Sequence, residues 1–77
     1  MRRTKLGTWS TPSGNRCDVF LEPDTGEAVR HLALEWDSPP PLSDSDEAFY
    51  VARIFPELMR RTAEYLERPG PAVAVIL

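Results

Sequence analysis

From Arg16 onward the chain moves between two rhythms of apolar and polar positions. Arg16–Glu22 and again Ala28–Trp36 are short stretches of strand character, in which successive side chains point to opposite faces. Lys5–Ser10 has strand composition as well. Turn chemistry separates the three stretches: Thr11-Pro12-Ser13-Gly14-Asn15 and Pro23-Asp24-Thr25-Gly26 each combine a proline that presets φ with glycine and short polar side chains that bond nearby backbone. The N-terminal half therefore predicts an antiparallel meander of three strands.

The second turn sets the pairing. A four-residue loop places Glu22 opposite Glu27 and Asp18 opposite His31, and a two-residue loop at Thr25-Gly26 slips that pairing by two positions. Side chains alternate with period two, so both registers put the same residues on each face. Cys17, Val19, Leu21, Ala28, Arg30, Leu32, Leu34 and Trp36 share the face expected to meet the core, with Arg30 at its rim. Arg16, Asp18, Phe20, Glu22, Glu27, Val29, His31, Ala33 and Glu35 share the wetter face. Trp9 stays unassigned, because a one-residue change in the first turn reverses its side.

A different period begins after residues 37–43, where Asp37-Ser38-Pro39-Pro40-Pro41-Leu42 forms a stiff connector unable to continue a ladder. Asp44 is the expected helix cap, with Glu47 three residues on as its capping-box partner. From Ser45 to Arg68, steps of 100° gather Ala48, Val51, Ala52, Phe55, Leu58, Met59, Thr62 and Leu66 on one side. The pairs Glu57 to Arg61 and Glu64 to Arg68 support the opposite, solvated side. Pro56 removes a hydrogen bond inside this run and predicts a kink near Ala52–Phe55. Pro69-Gly70-Pro71 ends the helix, and Ala72–Leu77, without a polar residue, predicts a fourth strand. The expected fold is α+β: a single two-layer domain over residues 1–77, a small antiparallel sheet in β-β-β-α-β order packed on one long, kinked helix, with residues 1–4 as a flexible basic arm.

Charge changes this picture more than composition does. The 77 residues carry a net charge of -3, but Arg2, Arg3, Lys5 and Arg16 meet no acid before Cys17, whereas Arg30 stands alone among the acids between Asp18 and Glu47. The basic start offers a nucleic-acid contact through Arg2, Arg3, Lys5 and Arg16, and the acidic middle opposes polyanion binding. The run Ala72–Leu77 is far shorter than the roughly 20 apolar residues of a membrane span, and no signal-peptide pattern follows Met1. One cysteine, Cys17, leaves no internal disulfide, so a cytoplasmic setting is expected.

Catalytic chemistry finds little purchase. Asp18 and His31 share a face and could orient an imidazole, yet a two-stranded surface pair makes no cleft, and Cys17 projects to the other side. Asp37, Asp44, Asp46 and Glu47 lack the loop glycine and distal glutamate of a calcium hand. A single histidine and a single cysteine argue against zinc, and no glycine pattern cradles phosphate. No enzyme, cofactor or metal is expected. The features that remain are contact surfaces: Tyr50, Ile54 and Tyr65 on the flank of the helix, and Val73, Val75 and Ile76 on an apolar edge strand. They predict a non-enzymatic interaction module that forms a homodimer, with a heterologous protein partner as the further possibility. The element order and Glu64-Tyr65-Leu66-Glu67 near the helix end are similar to those of HicB-like antitoxin domains. That resemblance implies an alternative, a small regulator contacting nucleic acid through its basic arm.

Overall fold

The structure, a computed structural model, describes residues 2–26 and 29–66, together with the backbone of residues 72–76. It is a small α+β fold: a three-stranded antiparallel sheet with one helical segment laid across a face. The strands are β1 (Thr4–Ser10), β2 (Arg16–Leu21) and β3 (Val29–Trp36), and the backbone of β4 (Ala72–Ile76) runs parallel to β3 from Val29 to Ala33. The strand order is β1-β2-β3-β4.

Cys17, Val19 and Leu21 of β2, Leu32 and Leu34 of β3, and Ile54 and Leu58 of the helical segment form the buried core. Trp9 lies opposite Cys17 and packs against that core, which settles its side. The first turn closes with the Thr11 amide donating to the Asn15 carbonyl, the Gly14 amide donating to the Thr11 carbonyl, and Gly14 at φ 87°. A β-bulge at Leu6 shifts the β1 register between Lys5 and Gly7. A Cβ at Gly7 would stand 2.8 Å from both Arg61 Nη1 and the Trp9 ring, so those side chains would have to shift to admit one.

The β2–β3 register differs from both expected ones. Asp18 lies opposite Glu35, and the Glu22 amide donates to the His31 carbonyl, so the connection is wider than a four-residue loop. Pro23 has no amide for the ladder, the Asp24 carboxylate accepts the Gly26 amide at 2.9 Å, and Arg30 Nη2 donates to the Glu22 carbonyl at 3.0 Å. These bonds hold the chain open before β3 starts. The shift is an even number of residues, so each described side chain keeps its expected face; Glu27 and Ala28 lie outside the described residues.

The helical segment comprises α1 (Asp44–Phe49), a π-helical turn (Tyr50–Ile54) and α2 (Phe55–Leu66). Its cap is Ser43, whose hydroxyl accepts the Asp46 amide, and not Asp44. Asp44, Asp46 and Glu47 fill the first turn, where their charge suits the helix dipole. In the π turn the Phe55 amide donates to the Tyr50 carbonyl, five residues back. The turn lies just before Pro56, which has no amide and whose ring would crowd the Ala52 carbonyl of a regular helix.

The extra residue of that turn changes the phase of the helix face around it. Ile54, expected on the flank, is fully buried, whereas Val51 and Phe55, expected in the core, are 60% and 40% exposed. Downstream, Leu58 and Thr62 keep their expected burial. The expected pairing of Glu64 with Arg68 and the Pro69-Gly70-Pro71 stop fall outside the described residues.

Candidate interaction surfaces

The first surface follows from the π turn. Tyr50 sits between Trp36, with ring centroids 5.9 Å apart in an edge-on contact, and Phe55, at 6.3 Å. Desolvation pushes the Tyr50 phenol above its ordinary pKa, with a smaller contribution from Cys17. Beside this row Leu34, Trp36, Pro39 and Pro40 line an open apolar groove of about 340 Å³. Trp36 Nε1 and Arg30 Nε are buried without a hydrogen-bond partner among the described residues. Tyr65, expected on the flank, is 52% exposed, and its hydroxyl lies 3.4 Å from Thr4 Oγ1. Ile54 belongs to the core and cannot meet a partner. The side chains of Val73, Val75 and Ile76 lie outside the described residues.

The N-terminal cations are arranged differently. Arg3 crosses the outer face of the sheet, donating to Glu35 at 2.7 Å and Glu22 at 3.5 Å with its guanidinium 4.1 Å from the Phe20 ring centroid. The Glu35 bond is the main cause that raises the Arg3 pKa. Lys5 stands 3.5 Å from Asp18, and Arg16 stands 3.8 Å from Asp37. Arg2 is exposed. Three of the four cations therefore have carboxylates beside them, which lowers the local field a phosphate backbone would meet.

Asp18 and His31 are not brought together. Asp18 accepts from the Thr8 hydroxyl at 2.7 Å, the main cause holding its carboxyl below the ordinary range, with Lys5 and Arg16 adding to it. A carboxylate so stabilised is a poor proton acceptor. Burial pushes the Cys17 thiol up to about 12, so it stays protonated and unreactive at neutral pH.

A polar cluster that sequence reasoning missed lies where the first turn meets α1. Asp46 is buried and accepts from the Thr11 hydroxyl at 2.8 Å, the Ser13 hydroxyl and the Ser13 amide at 3.3 Å. These bonds, Ser13 first, hold its carboxyl below the ordinary range. Asn15 pairs its amide with the Ser38 backbone, donating at 2.9 Å and accepting at 2.8 Å. Together they frame an open cleft of about 300 Å³ between the turn and the proline connector. A Ser13–Asp46 pair resembles half a nucleophilic constellation, but so weak a base cannot activate a hydroxyl, and His31 projects from the opposite face of β3. The cluster's visible work is to fasten helix to hairpin.

Asp46 turns into the hairpin, and no group of three or more metal-type ligands occurs among the described residues. Among them, no helix is long and apolar enough to cross a membrane. No known protein family, curated protein or solved structure matches the chain.

Proposed function

We propose that the chain is a non-enzymatic interaction module of the cytoplasm that works as a homodimer. In this reading it is one two-layer β-β-β-α-β unit whose long helix bends at the π turn, and the bend serves association. The observation that carries the proposal is the exposure of Val51 and Phe55, one turn apart on the helix and continuous with the Tyr50–Trp36 row. Exposed aromatic and aliphatic side chains set together beside an apolar groove are the usual mark of a protein contact. The weak basicity of Asp18 and Asp46 and the unreactive Cys17 support a role without catalysis.

The nucleic-acid alternative draws on the same basic residues, Arg2, Arg3, Lys5 and Arg16. The carboxylates beside three of them favour the protein-contact reading. Analytical ultracentrifugation over a wide concentration range tests it. The wild type is expected to sediment at twice its 8.7 kDa chain mass, and a Val51→Glu, Phe55→Glu variant at the monomer mass. A wild type that stays monomeric at every concentration rejects the proposal.

A further inference from the structure

The two edges of the sheet differ in how they treat an approaching strand. β1 is blunted: it carries Lys5, a bulge interrupts its regular pairing at Leu6, and the Leu6 carbonyl accepts from Arg61 Nη1 at 3.0 Å. Each feature discourages a strand from adding there. β4 has none of them. Its ladder with β3 is regular from Ala72 to Ile76, its sequence Ala-Val-Ala-Val-Ile contains no charge, proline or glycine, and no strand among the described residues pairs with its outer side.

We infer that β4 of one copy pairs antiparallel with β4 of a second copy across a two-fold axis at Ala74, joining the two sheets into one. The inference rests on the self-association reading and adds to its Val51–Phe55 surface a second contact that the same dimer requires. A second copy fits because two-fold pairing sets this strand against itself: Ala72 meets Ile76, Val73 meets Val75 and Ala74 meets its own counterpart. Apolar positions then face apolar positions along the whole ladder. The pairing also consumes both regular edges. Only the two blunted β1 edges remain outermost, so assembly closes at two chains and does not continue as a fibre.

The test uses the full chain, with sedimentation and backbone amide exchange measured on the same samples. Ala74→Lys places two like charges opposite each other at the axis and is expected to halve the sedimenting mass while the far-ultraviolet circular dichroism of the fold is retained. In the wild type, amides of Ala72–Ile76 that point away from β3 are expected to be protected at high concentration and to lose that protection on dilution to monomer. A wild-type dimer with β4 protection independent of concentration overturns the edge pairing and leaves self-association standing. So does a folded Ala74→Lys dimer. A wild type that is monomeric throughout overturns both. If Ala74→Lys does not fold, the exchange measurement on the wild type decides alone.

Discussion

The two halves of the helical segment are fastened to the sheet by opposite means. The first half sends Asp46 into the hairpin, where two hydroxyls and an amide donate to its carboxylate, and then seats Tyr50 on Trp36 and Ile54 in the core. The second half buries Leu58 and Thr62, but its charges stay in solvent: Arg60 donates to both Glu57 and Glu64 along the surface, and Arg61 lies over the Trp9 ring at 5.1 Å. Removing a partner from a desolvated acceptor or a filled core site leaves something unsatisfied, whereas water and salt ions replace a partner lost on the surface. The first half should therefore be specific and brittle, and the second tolerant.

The sharpest way to break this contrast is at the π turn. Ile54→Ala should cost about 3 kcal/mol, a typical loss for a buried aliphatic side chain, whereas Phe55→Ala, next in sequence but 40% exposed, should cost under about 1 kcal/mol. Denaturant unfolding of the two variants side by side checks the rotation directly. A regular helix would reverse their order.

The next effect is expected at Asp46. Asp46→Asn should lower the melting temperature by on the order of 5–10 °C through the hydrogen bonds it weakens. The pH dependence has a definite sign. The folded Asp46 carboxyl is held below its ordinary value, so between the two values the unfolded chain binds more protons. Its contribution is complete above the unfolded carboxyl pKa of about 3.9 and is lost as the pH falls through the lower folded value. Asp18 and Glu57 are depressed as well, so they weaken the fold over the same acidic range. Melting curves from pH 7 to pH 2 at low and high salt separate Glu57 from Asp46, because salt should screen the Arg60 and Arg61 contacts of Glu57 and leave most of the contribution from Asp46, whereas Asp18 should lose only the share due to Lys5 and Arg16. A profile unchanged in Asp46→Asn would remove Asp46 from the account.

The smallest change belongs to the surface network. Arg60→Ala removes contacts to both Glu57 and Glu64, yet should move the denaturation midpoint far less than Ile54→Ala does. The shift should shrink further in high salt. A loss comparable to that of Ile54→Ala would show that the two halves are not differently built.

The sheet was more legible in the chain than the helix was. Hairpin geometry puts Cys17, Val19, Leu21, Leu32 and Leu34 on one face, the expected core face, and they remain core although the β2–β3 register is neither of those expected. Period two explains this, since any even slip preserves the faces. The opposition of Asp18 and His31 did depend on register and was lost with it. Helical phase has no comparable protection. Around the π turn Ile54 faces inward and Val51 and Phe55 outward, so one of the three flank residues proposed for contact, Ile54, was misread, and where a kink was expected near Ala52–Phe55 the helix has a π turn over Tyr50–Ile54. Asp46 was placed correctly in the first helical turn, but no local pattern ties it to Thr11 and Ser13, thirty-odd residues earlier.

Local pattern along the chain suffices for the α+β class, the three antiparallel strands with their inner and outer faces, and a helical segment after the proline connector. All of these follow from local periodicity and turn chemistry, which act over a few residues. Tertiary structure alone decided the side of Trp9, the strand register, the choice of Ser43 as cap, the burial of Asp46 and which helix residues face solvent. Each of these depends on which distant groups are available to satisfy a hydrogen bond or fill a space, and that is settled only when the layers pack.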